Sequence, residues 1–178
     1  MDYEATGHIY SDRGTIIPSV TTILNPTASK PWFSYESASR GTLAHERCAA
    51  WALKPEGFPY EPYVDSFAMF CYKYNPKWLA IEEIIDGCVD GLRYAGRLDL
   101  FGEIDGKRTV VELKSGAKAK WHISQIAAYS LVKKAQRLLL LYLHNDMGYQ
   151  EHWVSTNDLV SGIQDFRHKL KGWYDNRN

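Results

Sequence analysis

Asp-Gly steps at Asp86-Gly87, Asp90-Gly91 and Asp105-Gly106 separate three runs rich in Ile, Val and Leu in the middle of the chain: Trp78 to Asp86, Leu92 to Ile104 and Lys107 to Lys114. Asp-Gly readily supplies the positive φ values of a tight hairpin turn, so runs joined this way pair as antiparallel neighbours. The segment predicts three consecutive strands.

Helical signals flank it on both sides. HIY and TIIP border the turn-like Ser11-Asp12-Arg13-Gly14 and predict a small hairpin, after which Ser19 can cap a short VTTIL helix. Trp32 to Leu53 is rich in Ala, Leu, Glu and Arg and ends at Pro55 and Gly57, and Pro62 to Tyr74 is closed by Asn75-Pro76. Helical periodicity returns from His122 to Lys134. RLLLLYLH then reads as a strand buried on both faces, with YQEHWVS as its neighbour. Thr156 or Asn157 can cap a last helix ending near Trp173. This order predicts an α/β fold: a central mixed sheet of about five strands flanked by helices, forming one domain over residues 1–178.

With 45% hydrophobic residues among 178, the chain can bury a core of its own. No run approaches the roughly 18 apolar residues that span a bilayer, and MDYEATGHIY lacks a basic stretch followed by an apolar one, so a cytoplasmic location is expected. Cys48, Cys71 and Cys88 lie far apart, which speaks against a disulfide framework or a paired-cysteine metal site. A formal net charge of zero argues against coating nucleic acid through bulk positive charge, leaving a local patch as the means of contact.

The charged residues with chemical potential cluster at strand ends. In GRLDL, period-two geometry puts Arg97 and Asp99 on one face and Leu98 and Leu100 on the other. In TVVELK it puts Glu112 with Lys114, opposite Val111 and Leu113. If these strands are neighbours, two carboxylates and an ammonium meet, and carboxylate oxygens suit a hard cation such as Mg2+ or Mn2+. The plain alternative is a solvated strand end with a surface salt bridge of little worth. Gln125 and Tyr129 lie one helical turn apart on one face. Arg40, Lys118, Lys120 and Trp121 have the chemistry to bind phosphates or stack on a base, although charged loop residues are most often only solvated.

GRLD, a short hairpin connection, VELK, and QIAAY one helix later resemble the PD-(D/E)xK nuclease superfamily, specifically its RecB-like exonuclease branch. GTLAH, from Gly41 to His45, resembles that branch's Gly-x-x-x-His element, and PSVTTIL resembles phage-type members. The similarity covers about Arg40 to His144. Leu98 stands where the family name has proline. The resemblance implies a restriction-endonuclease-like core in which Asp99 and Glu112 ligate a metal, the Leu113 carbonyl adds a backbone ligand and His45 contributes a nitrogen. Lys114 would orient the attacking water or stabilise the transition state, with Gln125 and Tyr129 bordering the site. Glu83 sits at the interval of an acidic residue found in several such nucleases, and Glu82 is the competing choice.

The implied activity is that of a Mg/Mn-dependent deoxyribonuclease. It would act as an exonuclease on linear DNA, leaving 5′-phosphate ends by attack of a metal-activated water, with a preference for single strands. The setting would be recombination and repair in a bacterium or a phage-infected cell. No GxxxxGK[ST] motif is present, so opening a duplex would need a partner such as a helicase or recombination protein. Relatives with an iron-sulfur cluster use four cysteines, and three are present here. Two other readings share the motifs: a structure-specific endonuclease, and a non-catalytic DNA-end-binding module.

Overall fold

The first elements form a small antiparallel sheet of β1 (Asp2–Glu4), β2 (Ile9–Asp12) and β3 (Thr15–Ile17) in the computed structural model, which describes residues 2–4, 9–25 and 35–177. The expected hairpin is β2–β3, turning at Arg13 and Gly14 with φ of 50° and 80°. No turn signal marked β1. Ser19 caps α1 (Val20–Leu24), its Oγ accepting the Thr22 N–H at 3.0 Å. Helices α2 (Tyr35–Leu53) and α3 (Pro62–Tyr74) follow; Trp32 and Phe33, at the expected start of the first, lie outside the described residues. Asn75 ends α3 in the left-handed conformation, its N–H donating to the Cys71 carbonyl.

The three central runs are strands β4 (Lys77–Val89), β5 (Leu92–Ile104) and β6 (Lys107–Lys114). Two of the three Asp-Gly steps are two-residue turns with positive φ: 53° and 77° at Asp90-Gly91, 50° and 71° at Asp105-Gly106. Asp86-Gly87 instead stays inside β4, where a Cβ at Gly87 would lie 2.2 Å from the Tyr94 ring. Helix α4 (Trp121–Lys133) then crosses over the sheet, so that β7 (Arg137–Leu143) lies parallel to β6, as a helical crossover requires. β8 (Tyr149–Trp153) returns antiparallel at the edge, and the five strands stand in the order β4-β5-β6-β7-β8. Helix α5 (Thr156–Asp175) is capped one residue earlier than expected. Ser155, in extended backbone, accepts the Asp158 N–H, and Thr156 is already helical.

Alternation along β6 and β7 sorts the core into two layers. Val110, Leu138 and Leu140 pack with Val20, Ile126 and Phe166 of α1, α4 and α5, whereas Val111, Leu139 and Leu141 pack with Cys48, Val64 and Phe67 of α2 and α3. Helices therefore cover both faces of a mixed five-stranded sheet. Phe67 and Phe166 are fully buried, and each stabilises the fold by roughly 1.5–3 kcal/mol through leaving water. Among the described residues no helix is long and apolar enough to cross a membrane.

One expectation about β5 fails. Leu98 joins the α1–α4–α5 layer and Leu100 the α2–α3 layer, so alternation is interrupted at Asp99. Glu82, between the pairs Ile81↔Leu100 and Glu83↔Leu98 and thus across from Asp99, has φ of 52°. That left-handed residue breaks the regular ladder and turns the two strands at this point.

Candidate active site

Strands β5 and β6 pair from Ile104↔Lys107 to Leu100↔Val111. Beyond that pair Asp99 Oδ2 accepts the Leu113 N–H at 2.7 Å, so a side chain takes over where the ladder stops. Asp99 is buried, and its other oxygen, Oδ1, lies 3.1 Å from Nδ1 of His45 on α2. Burial pushes the Asp99 carboxyl up, but His45, the Lys114 charge and the Leu113 N–H outweigh it and hold it below the usual carboxylate range. Burial likewise pulls the His45 imidazole down, and the Asp99 carboxylate more than restores it, leaving it raised.

Glu112 is 2% exposed and lies on β6 beside Lys114. Lys114 Nζ donates to Glu112 Oε1 at 2.8 Å and to Gln125 Oε1 at 2.9 Å, and Gln125 Nε2 donates to the Tyr129 hydroxyl at 3.3 Å. This chain fixes the amide orientation: its oxygen faces the ammonium, so its nitrogen faces the phenol. Burial, then the Asp99 charge, push Glu112 up to about 7 despite the lysine. Glu112 Oε2 is buried without a hydrogen-bond partner. Burial, with the Glu112 charge second, also raises the Tyr129 hydroxyl well above its usual value, so it stays protonated.

Tyr129 has room because residue 96 is glycine; a Cβ there would come within 2.8 Å of the Tyr129 ring. At Gly41 an added Cβ would meet only Ser115 Oγ at 3.5 Å, an ordinary contact, so the space available does not explain that glycine.

His45, Asp99, Glu112, Lys114, Trp121, Gln125 and Tyr129 all line one cavity of about 310 Å³. Tyr10, Ser19, Thr21 and Thr42, to which no motif gives a part, also line it, as does Arg97, which strand alternation puts on the Asp99 face without giving it a role. The Leu113 side chain packs in the α2–α3 layer, while its N–H serves Asp99. Lys118 Nζ sits 5.3 Å over the Tyr142 ring, and Lys120 lines an adjoining groove that shares Trp121 with the cavity. The side chain of Arg40 lies outside the described residues.

Glu83 is not among these residues. Its carboxylate pairs with Lys133 of α4, while the Glu82 carboxylate groups with His45 and Asp99, one donor atom from each lying within 4.8 Å of the others. Counting explains the exchange. From the Asp90-Gly91 turn, where Val89 pairs with Leu92, the register runs back to Glu83↔Leu98 and sets Glu82 across from Asp99. From the other end, where Trp78 pairs with Gly102, an unbroken ladder would put Glu83 opposite Arg97 and hence on the Asp99 face. A bulge between Trp78 and Ala80 shifts the register by one. The readable mark of that bulge is Gly102 inside a strand, where a Cβ would lie 2.4 Å from the Lys77 carbonyl oxygen. Burial and the Asp99 charge raise Glu82 to about 7, against the pull of Arg97, whose Nε is 2.8 Å away.

No family model matches the chain, and no curated protein matches it. Among solved structures it is distantly similar to SSO0001, at 18% identity and TM-score 0.48 over 92% of this chain and 79% of that one. It is also distantly similar to LHK-Exo, an alkaline exonuclease from Laribacter hongkongensis, at 8% identity and TM-score 0.43 over 90% and 93% of the two chains. LHK-Exo in complex with dAMP gives 12% identity and TM-score 0.44 over 90% of each chain.

Proposed function

We propose that this chain is a divalent-metal-dependent deoxyribonuclease that hydrolyses phosphodiester bonds from the ends of linear DNA. The observation that carries the reading is the buried Glu112 Oε2, an acceptor without a donor, in the same cavity as Asp99, His45 and Lys114. A buried carboxylate oxygen left unsatisfied is costly, and a cation relieves that cost. The nearby donor set of His45, Glu82 and Asp99 offers one nitrogen and carboxylate oxygens, which suits Mn2+ or Mg2+ better than a thiol-seeking ion.

His45, Glu82, Asp99 and Glu112 are the residues that would hold the cation. When bound, it would supply Lewis acidity, making water a better nucleophile near neutral pH and offsetting charge on the phosphate. The rest of the work belongs to the chain. Glu112 and Gln125 take two of the three Lys114 N–H groups, and the third serves a phosphate oxygen as negative charge grows there. Tyr129 holds the Gln125 amide, and through it the lysine. Oxygen from water bonds to phosphorus while the bond to the departing sugar oxygen breaks, leaving a phosphate on one product and a hydroxyl on the other. Trp121 offers a stacking surface at the rim, with Lys118 and Lys120 nearby for flanking phosphates.

Preference for ends follows from the small walled cavity and the absence of net positive charge to hold long duplex. A motor or recombination partner would supply single strands from duplex. The test is digestion of end-labelled linear DNA, closed circles and supercoiled plasmid with Mn2+, Mg2+ or EDTA. Linear DNA should shorten only with metal. Full activity in EDTA refutes the metal role, and equal cutting of closed circles moves the assignment to an endonuclease.

A further inference from the structure

We infer that Arg97 is an anion-binding residue held in reserve by Glu82 and released to the DNA phosphate when a cation claims that carboxylate; the inference rests on the metal-dependent reading above. The Glu82 carboxylate has two competing partners. Its Oε2 lies 2.8 Å from Arg97 Nε, while the same side chain has an oxygen within 4.8 Å of donor atoms of both His45 and Asp99. Arg97, unlike Glu82, lines the cavity, and both side chains are partly exposed.

A carboxylate drawn onto a cation gives up much of its negative charge to that bond, which weakens its hold on the guanidinium. The freed group is a planar fork of N–H donors with permanent charge, suited to two oxygens of one phosphodiester. Without metal, Glu82 neutralises Arg97 and the cavity binds anions poorly. With metal, the cation and Arg97 present two positive groups to the substrate together. Cation and DNA binding are thereby coupled, and each strengthens the other.

Two binding measurements test this without turnover: Mn2+ affinity by titration calorimetry, and affinity for a short phosphorothioate strand by fluorescence anisotropy at fixed salt. Arg97→Gln removes the competitor for Glu82, so Mn2+ binds about two- to fivefold tighter, the range set by a partly exposed ion pair. The same variant loses about tenfold in DNA affinity in Mn2+, as for loss of a charge-assisted hydrogen bond. Glu82→Gln, which checks the result should Arg97→Gln fold poorly, weakens Mn2+ binding yet raises DNA affinity in EDTA. Wild-type Mn2+ affinity in Arg97→Gln, unchanged DNA affinity in that variant, or no metal-free gain in Glu82→Gln overturns the inference. Failure of the wild-type protein to bind Mn2+ at all overturns instead the metal-dependent reading on which it rests.

Discussion

Lys114 Nζ donates to Glu112 Oε1 across 2.8 Å at the end of β6, with the carboxylate buried and the ammonium nearly so. Lys114→Ala should reduce turnover by at least about a hundredfold, the order seen when one transition-state donor is removed. Mn2+ affinity should change little, because the lysine serves the phosphate. Stopped-time assays beside calorimetry decide the point, and a parallel loss of metal affinity would contradict the assigned role.

Glu112→Gln separates metal binding from folding. In the metal-free protein the amide keeps an oxygen for Lys114 and relieves the repulsion from the Asp99 charge, so the fold should persist with a melting temperature near the wild-type value. Wild-type protein should gain about 2.7 kcal/mol of stability at a Mn2+ concentration a hundred times its Kd, and the variant should gain far less. Thermal melts with and without Mn2+ measure both. Equal metal-induced shifts in the two proteins would remove Glu112 from the ligand set.

Glu82 and Glu83 are adjacent and should behave oppositely. Glu82→Gln should weaken Mn2+ binding about tenfold or more, as loss of a coordinating or orienting carboxylate does. Glu83→Gln, which breaks only the pair with Lys133, should leave Mn2+ affinity at its wild-type value. Reversal of that pattern would restore the register in which Glu83 faces Asp99.

His122 packs between Trp121 and Tyr142, with Nδ1 3.0 Å from the Tyr142 hydroxyl. Burial first, and the Lys114 charge second, hold its pKa down at about 3 against an ordinary 6.5. Unfolded chains therefore take up the proton near pH 6.5 and folded ones only near 3, so stability is kept above that window and lost as pH falls through it. The slope from this one group is at most about 1.4 kcal/mol per pH unit. His122→Gln should flatten the drop in urea midpoint between about pH 7 and about pH 5 in metal-free protein. An identical pH dependence in both proteins would show that His122 is free to protonate in the fold.

Gly96→Ala tests the seat of Tyr129. The new methyl would meet the Tyr129 ring at 2.8 Å and Val20 at 3.4 Å. Overpacking of this kind costs about 1–3 kcal/mol and should displace the phenol, lowering activity as well as the melting temperature. An unperturbed melt and full activity would show that the ring shifts without consequence.

The elements were legible in the sequence because their causes are local. The Asp90-Gly91 and Asp105-Gly106 steps turn hairpins by their own φ preferences, Ser19 caps by reaching three residues along, and a run such as RLLLLYLH announces a strand buried on both faces. Asp86-Gly87 carries the same local signal and stays in β4, paired across to Tyr94. The motif residues of β5, β6 and α4 could be named for the same reason, since each motif lies within one element. What a one-dimensional reading could not decide was parity and distance. Counting back from the Asp90-Gly91 turn sets Glu82 across from Asp99, but the face each side chain takes there also depends on the left-handed φ of 52° at Glu82, where the alternation of β5 breaks. A positive φ at a non-glycine residue is imposed by its surroundings rather than announced by its type. His45 comes to Asp99 from 54 residues away, and Tyr10, Ser19 and Thr21 close the cavity from the first small sheet and its following helix. Only tertiary packing brings those groups together, because close approach of distant segments is paid for by core burial and leaves no local pattern behind.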